Sequence, residues 1–154
     1  MPKVEIRVKG LRALQEQLKV KRDALLEELA SVLKKLGEDA VRHAKERKGY
    51  KDHTANLKNS ISYALYYDGK PVMMEIGKVS DAEAQADVSK NFQAYAEAHV
   101  QPQGYTLIVV AGMSYGRYVE DKGYNVLHLT RYFLQDELKK IVQETIEDVR
   151  NGNV

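Results

Sequence analysis

Residues 60–76 read SISYALYYDGKPVMMEI, and this stretch predicts a β-hairpin. Its first half alternates in the manner of a strand with one buried face. Asp68-Gly69 then supplies a strong signal for a tight turn between two strands. The segment 72–76 can return as the second strand. The residues expected on one face of the first strand are Ile61, Tyr63, Leu65 and Tyr67.

A long amphipathic helix is predicted before the hairpin. Apolar residues recur every three or four positions from Leu11, and no proline interrupts them. An unbroken helix over about residues 11–47 would be ~55 Å long, too long for the remaining chain to cover in a compact monomer. The helix is therefore expected either to break near Lys19–Asp23 or to pack against another subunit. The stripe consists of Leu11, Leu14, Leu18, Leu25, Leu29, Val32, Leu33, Leu36, Ala40, Val41 and Ala44.

Two further strands are predicted, one before the long helix and one after the hairpin, and a loop and a short helical turn are predicted between the long helix and the hairpin. Residues 4–8, VEIRV, alternate apolar and charged side chains and predict a strand. Residues 45–53 are polar and predict a loop, after which Thr54 can serve as the N-cap of a single helical turn. Residues 105–111 form the most apolar run of the chain and are expected to be the central strand.

The remaining segments predict helices at 78–103 and 129–149, joined in part by an irregular connection. Residues 78–103 are rich in alanine, which has the highest helix propensity, but their apolar content is low. We expect one or two short helices there, forming a surface insertion that adds nothing to the core. Residues 114–126 predict a Tyr- and Gly-rich connection, and the helical period returns over 129–149.

These elements predict an α+β fold with a single domain over residues 1–154. A small antiparallel sheet is expected to carry the long N-terminal helix and the C-terminal helix on one face, with a helical surface insertion at about 78–103.

Composition excludes several classes of protein. The chain has 154 residues, 44% of them hydrophobic and 30% charged, which is typical of one globular domain and too short for a two-domain enzyme with a large cofactor fold. Cysteine is absent, so disulfides, thiol catalysis and cysteine metal sites are excluded. No apolar stretch is long enough for a membrane span or a signal peptide, so we expect an intracellular product without membrane contact.

Charge is unevenly distributed along the chain. Residues 1–60 hold 15 Lys or Arg and 9 Asp or Glu, a net charge of +6, whereas residues 61–112 have a net charge of −3 and residues 113–154 of −1. This asymmetry could orient identical subunits head to tail or place a basic rim near nucleic acid. A solvated helix face explains the same pattern.

A site for catalysis, a cofactor or a metal is not predicted. None of the four histidines, His43, His53, His99 and His128, has metal-ligand spacing with another. No phosphate-binding loop is present, and no acid, base and nucleophile group together. The sequence therefore indicates a protein that is not an enzyme and needs no cofactor.

Basic residues cluster around Tyr50 after the first helix. Such a loop could contact a phosphate backbone through Arg47, Lys48 and Lys51, which makes a small nucleic-acid-binding module the alternative function. An ordinary polar loop is the competing interpretation.

Two segments together resemble a family of phage tail components. The first, residues 52–61 (DHTANLKNSI), provides Thr54, Leu57, Ser60 and Ile61. The second, residues 110–127, contains YGRYVE followed by a glycine and the start of the last helix. Both are similar to elements of the family typified by gene product ten of HK-type lambdoid phages, although Ala55 replaces the usual glycine and Gly116 the usual alanine. The opening IRVKGL at residues 6–11 is also similar to the start of that family.

The resemblance implies a structural virion component of a tailed phage or prophage. Such a protein would act in the neck, in head–tail joining or in tail completion, as a tail terminator does, and would form a homo-oligomeric ring, expected to be a hexamer. Its partners would be other neck and tail-tube proteins and DNA passing through the lumen. It would reside in the virion and, during assembly, in the host cytoplasm. The candidate residues for the subunit interface are Tyr115, Arg117, Tyr118, Glu120 and Lys122.

Overall fold

The predicted hairpin is present in the computed structural model, which describes residues 11–46, 56–113, 115–123 and 126–152. The fold is α+β, as the sequence predicts. Its elements in chain order are α1 (Leu11–Glu46), α2 (Asn56–Asn59), β1 (Ile61–Tyr67), β2 (Lys70–Glu75), α3 (Ala82–His99), β3 (Tyr105–Ala111), α4 (Gly116–Asp121) and α5 (His128–Arg150).

The three strands form one antiparallel sheet in the order β2-β1-β3. Among the described strands β1 is therefore central, and the expectation that residues 105–111 form the central strand is wrong. The apolar run of β3 was a misleading signal, since Ile108 is its only fully buried residue. In β1, residues 61–66 are all buried, and the small Ser62 and Ala64 alternate with large side chains because both faces of this strand are covered.

The turn of the hairpin has the geometry that its sequence requires. Asp68 and Gly69 both have positive φ angles, 50° and 81°, as in the primed turns that match strand twist. The Asp68 carboxylate also accepts a hydrogen bond of 2.8 Å from the backbone N–H of Gly104, just before β3. One residue thus shapes the hairpin and ties it to the third strand.

Helices α1 and α5 cover one face of the sheet and pack against each other in antiparallel directions. The core on this face is built around Leu33, Leu36 and Leu65. Next to this core, the ring of His43 stacks on Phe133, with 4.6 Å between the ring centroids. The N-terminal and C-terminal helices therefore lie on the sheet as predicted.

Helix α1 is continuous over 36 residues, so the expected break near Lys19–Asp23 is wrong. Within α1 no glycine or proline occurs before Gly37, and the lapse in the apolar stripe does not interrupt the helix. Every side chain described between Ala13 and Ala24 is exposed. We call residues 13–24 the arm. The second expectation, packing against another subunit, is taken up below.

Helix α3 covers the opposite face of the sheet, which corrects two expectations for residues 78–103. The segment is helical, as predicted, but it contributes to the core: Val88, Phe92 and Ala96 are buried, and the latter two pack with Ala64 of β1. Few apolar residues suffice, because a spacing of four aligns them on one face and small residues on β1 let the helix approach closely. The helices are therefore not confined to one face.

Several expectations concern residues that the structure does not describe. These are the strand at residues 4–8, residues 47–53 of the loop predicted at 45–53, and the capping role of Thr54. Helix α1 extends to Glu46, and the connection at 114–126 contains the short helix α4.

Tyr63 of β1 packs closely against α1 at Gly37, and it makes stability depend on pH. A Cβ at Gly37 of α1 would overlap the Tyr63 ring, so the glycine permits this contact. Burial is the main cause that raises the pKa of the Tyr63 hydroxyl to about 12, and the carboxylates of Glu38 and Glu75 contribute to the same rise. The hydroxyl donates to Glu38 Oε1 across 3.5 Å.

We expect the folded chain to lose stability between pH 10 and about 12, because the unfolded chain releases the tyrosine proton near pH 10 while folded Tyr63 retains it to about 12. Unfolding then releases a proton, which costs the folded state on the order of 2 kcal/mol at the upper end. Urea unfolding at about pH 9 and about pH 11 should show a smaller loss of stability for Tyr63→Phe than for the unchanged chain. An equal loss in both would contradict this assignment.

Candidate self-association surface

An apolar groove of about 430 Å³ lies between α1, α5 and β3. Its walls are the leucines of α1 at positions 29, 33 and 36 and the apolar face of α5, and its floor is formed by β3 alone, through Tyr105 and Leu107. The hydroxyl of Tyr105 donates to the carbonyl oxygen of Leu26 across 2.8 Å, so one of the few polar groups at the groove is already paired.

The outer wall of the groove continues as an exposed apolar stripe along α5. We call this the α5 stripe. Its members recur at intervals of four, four and three residues, which places them on one side of the helix. A folded monomer normally buries such a stripe, and contiguous exposed apolar patches mark interaction surfaces. Its residues are Leu138, Val142, Ile146 and Val149, each between 46% and 53% exposed.

The α5 stripe was not recognised from the sequence, although a signal for it is present. The apolar residues of 129–149 extend over more of the helix circumference than the contact with one neighbour requires. Phe133, Leu134 and Ile141 face α1 and the sheet, while the α5 stripe lies to the side. The width of the apolar face of α5, rather than its period, indicates that the helix has a second, uncovered apolar side.

The residues of the two family-like segments meet at one corner of the molecule. Leu57 is buried against Val126, and Gly116 lies so close to Leu57 that a Cβ there would be 3.1 Å from its Cδ1. Ser60 is buried and donates to the carbonyl oxygen of Leu57 across 2.7 Å. Ile61 is also buried and pairs with Ala111 at the start of β1. These residues build the core of this corner, and Thr54 lies outside the described residues.

Glu120 has an intrachain role that the sequence did not identify. Its carboxylate accepts hydrogen bonds from the backbone N–H groups of Val126 and Leu127, immediately before α5 begins. Unsatisfied N–H groups at a helix start favour a negative charge, so Glu120 holds the entry to α5. Among the other interface candidates, Tyr115 and Lys122 are exposed, and the side chains of Arg117 and Tyr118 are outside what the structure describes.

The proposed nucleic-acid contacts Arg47, Lys48 and Lys51 lie outside the described residues. The last basic residues of α1 that are described include Arg42, which forms an ion pair with Asp39. The nucleic-acid alternative therefore stays a prediction from the sequence.

The described residues contain no group of three His, Asp or Glu side chains that could hold a metal ion. Within the same part of the chain, His43 contacts Thr130 and Phe133, His99 stacks on Tyr95, and His128 contacts Tyr132 edge-on. His53 is not described. No helix over the described ranges is both long and apolar enough to cross a bilayer.

Comparison with known proteins gives no relative: no family model, no curated protein and no solved structure matches the chain.

Proposed function

We propose that the protein is a self-assembling structural component, of the kind that forms the neck or completes the tail of a tailed phage, and that it does not act as an enzyme. The observation that carries the proposal is the α5 stripe beside the apolar groove. Burial of apolar surface is the main driving force of association, and the α5 stripe leaves four apolar side chains about half exposed on the outside of the subunit.

The unequal charge of the chain supports a repeating contact between unlike surfaces. Residues 1–60 are net positive and residues 61–154 net negative, so the two parts of neighbouring copies attract when they meet head to tail. Contacts of this type generate a ring when the rotation between copies closes. A ring is the form required of a part that joins a head to a tail tube, and a hexamer is the number that the family resemblance implies.

Replacing Val142 by aspartate is expected to prevent self-assembly. Val142 lies in the centre of the α5 stripe and is half exposed, so the charge disturbs the free subunit little but would be buried at an interface without a partner. Sedimentation velocity across a concentration series should show a larger species for the unchanged chain and a monomer for Val142→Asp.

The matched control is Gln143→Asp, which adds the same charge one position away, on the exposed side of α5. This variant should assemble like the unchanged chain. A strictly monomeric unchanged chain at every concentration, or equal assembly of all three proteins, would contradict self-assembly through the α5 stripe.

The virion assignment is tested separately from assembly. Mass spectrometry of purified particles from a phage or induced prophage that encodes this chain should detect it as a stoichiometric component. Its presence in the lysate together with its absence from the particles would refute the role in the virion and leave the assembly result standing.

A further inference from the structure

The sheet has an edge at β3 that no described strand covers. One side of β3 pairs with β1 along the strand from Tyr105 to Ala111, and no described strand pairs with its other side. Of the described strands only β3 lines the apolar groove, which places the groove on the β3 side of the sheet. A fourth strand added here would satisfy backbone groups of β3 and place every second side chain over the groove.

Residues 4–8 have the pattern that such a strand needs. Val4, Ile6 and Val8 alternate with Glu5 and Arg7, so an extended segment presents three β-branched apolar side chains on one face and two charged ones on the other. β-Branched residues pack well on a pleated surface. The apolar face matches the leucine-lined groove in chemistry.

The same chain cannot lay this whole segment along its own β3. Val8 is three residues and Val4 seven residues before Leu11, where α1 begins, so they stay within about 11 Å and about 25 Å of the helix start. The near end of β3 lies beside Leu26, because Tyr105 bonds to its carbonyl oxygen, and Leu26 is about 22 Å further along α1. The groove extends past this point to Leu36, about 37 Å from the helix start.

The arm strengthens this geometric argument. Since α1 is unbroken and the described side chains between Ala13 and Ala24 are exposed, the helix carries its N-terminal end away from the sheet of its own subunit. Because residues 4–8 do not reach along the groove of their own subunit, the occupant of the groove is the same segment from a second copy of the chain.

We propose that residues 4–8 of one copy add as a fourth strand to the free edge of β3 in the next copy, with Val4, Ile6 and Val8 over the apolar groove. This inference rests on the proposed self-assembly and specifies its two surfaces. Each copy donates a strand and receives one, so the contact joins unlike patches, and the main-chain pairing is that of strand addition.

The test uses two full-length variants, each of which damages one of the surfaces. Ile6→Asp removes the donor and leaves the groove intact, whereas Val142→Asp removes the acceptor and leaves the donor intact. Each variant alone should be monomeric in native mass spectrometry. Mixed together, they should form a 1:1 dimer that grows no further, because the pair retains one complete donor–acceptor contact.

Other outcomes would overturn the inference in distinguishable ways. If Ile6→Asp assembles like the unchanged chain, strand donation is wrong and the proposed self-assembly stands. If both variants are monomeric and their mixture stays monomeric, like surfaces meet and the donor–acceptor arrangement is wrong. If the unchanged chain never assembles, the inference and the proposed function both fail. Arg7→Asp, which adds a carboxylate on the opposite face of the same segment, serves as the matched control and should assemble.

A cross-link between copies provides an independent measurement. The chain has no cysteine, so an introduced pair is unambiguous. Ile6→Cys in one protein and Leu138→Cys in another should give a disulfide-linked heterodimer on mild oxidation of the mixture. A single chain that carries both Ile6→Cys and Leu138→Cys provides the opposite outcome. If its disulfide forms only within single chains, the segment docks on its own subunit and the inference is wrong.

Discussion

Replacing Phe92 by alanine is expected to lower the free energy of unfolding by about 3–5 kcal/mol. Phe92 is fully buried between α3 and the sheet, where it packs with Ala64, Tyr66 and Ile108. Removing the ring loses the free energy gained by burying a large aromatic surface, and it leaves a cavity that a rigid sheet cannot close.

Urea unfolding followed by circular dichroism measures this effect. Gln93→Ala is the matched control, because Gln93 is the next residue of α3 and is exposed, so its replacement should change stability by less than about 0.5 kcal/mol. A comparably small effect at Phe92 would show that residues 78–103 are the surface insertion that their composition indicates.

Replacing Gly77 by alanine is expected to destabilise the fold by about 2–3 kcal/mol, through backbone crowding rather than loss of contacts. A Cβ at this position would overlap the carbonyl oxygen of Asn59, which is backbone and cannot rotate aside. The strands and α2 would have to move apart to admit one methyl group.

The hydrogen bonds around Gly77 explain why the strain would spread. Its N–H donates to Ser62 Oγ across 2.8 Å, and its carbonyl oxygen accepts from Gln85 Nε2 across 3.0 Å. Gly77 thus connects the central strand to the first turn of α3. Lys78→Ala, at the next and exposed position, is the control and should be close to neutral. Equal midpoints of urea unfolding for the two variants would refute the role of the close approach.

The elements with local signals were predictable from the sequence. The helices α1 and α5 have a clear helical period, and the hairpin combines an alternating strand with Asp68-Gly69, whose positive φ angles are those expected of its turn type. The predictions that failed concern tertiary structure. The order of strands depends on which neighbours cover each face, and the apolar content of β3 does not contain that information.

The same limit applies to α3 and to the candidate surface. Alanine-rich residues predict a helix, but whether three apolar side chains form a core depends on how closely a partner approaches, and Ala64 on the sheet decided this. The α5 stripe needed the structure, because only the placement of α1 shows which apolar residues of α5 stay uncovered. The hydrogen bonds of Glu120 to the backbone at the entry to α5 depend on the path of the chain before that helix.

The continuity of α1 has a thermal consequence. Residues 13–24 have no buried side chain among those described, so in a free subunit their helix is held by backbone hydrogen bonds and intrinsic propensity alone, which are marginal over so few turns. On heating, these turns would melt gradually, well before the cooperative loss of the packed sheet. A calorimetric trace of the dilute chain would therefore deviate from a two-state transition, and no single melting temperature would describe it.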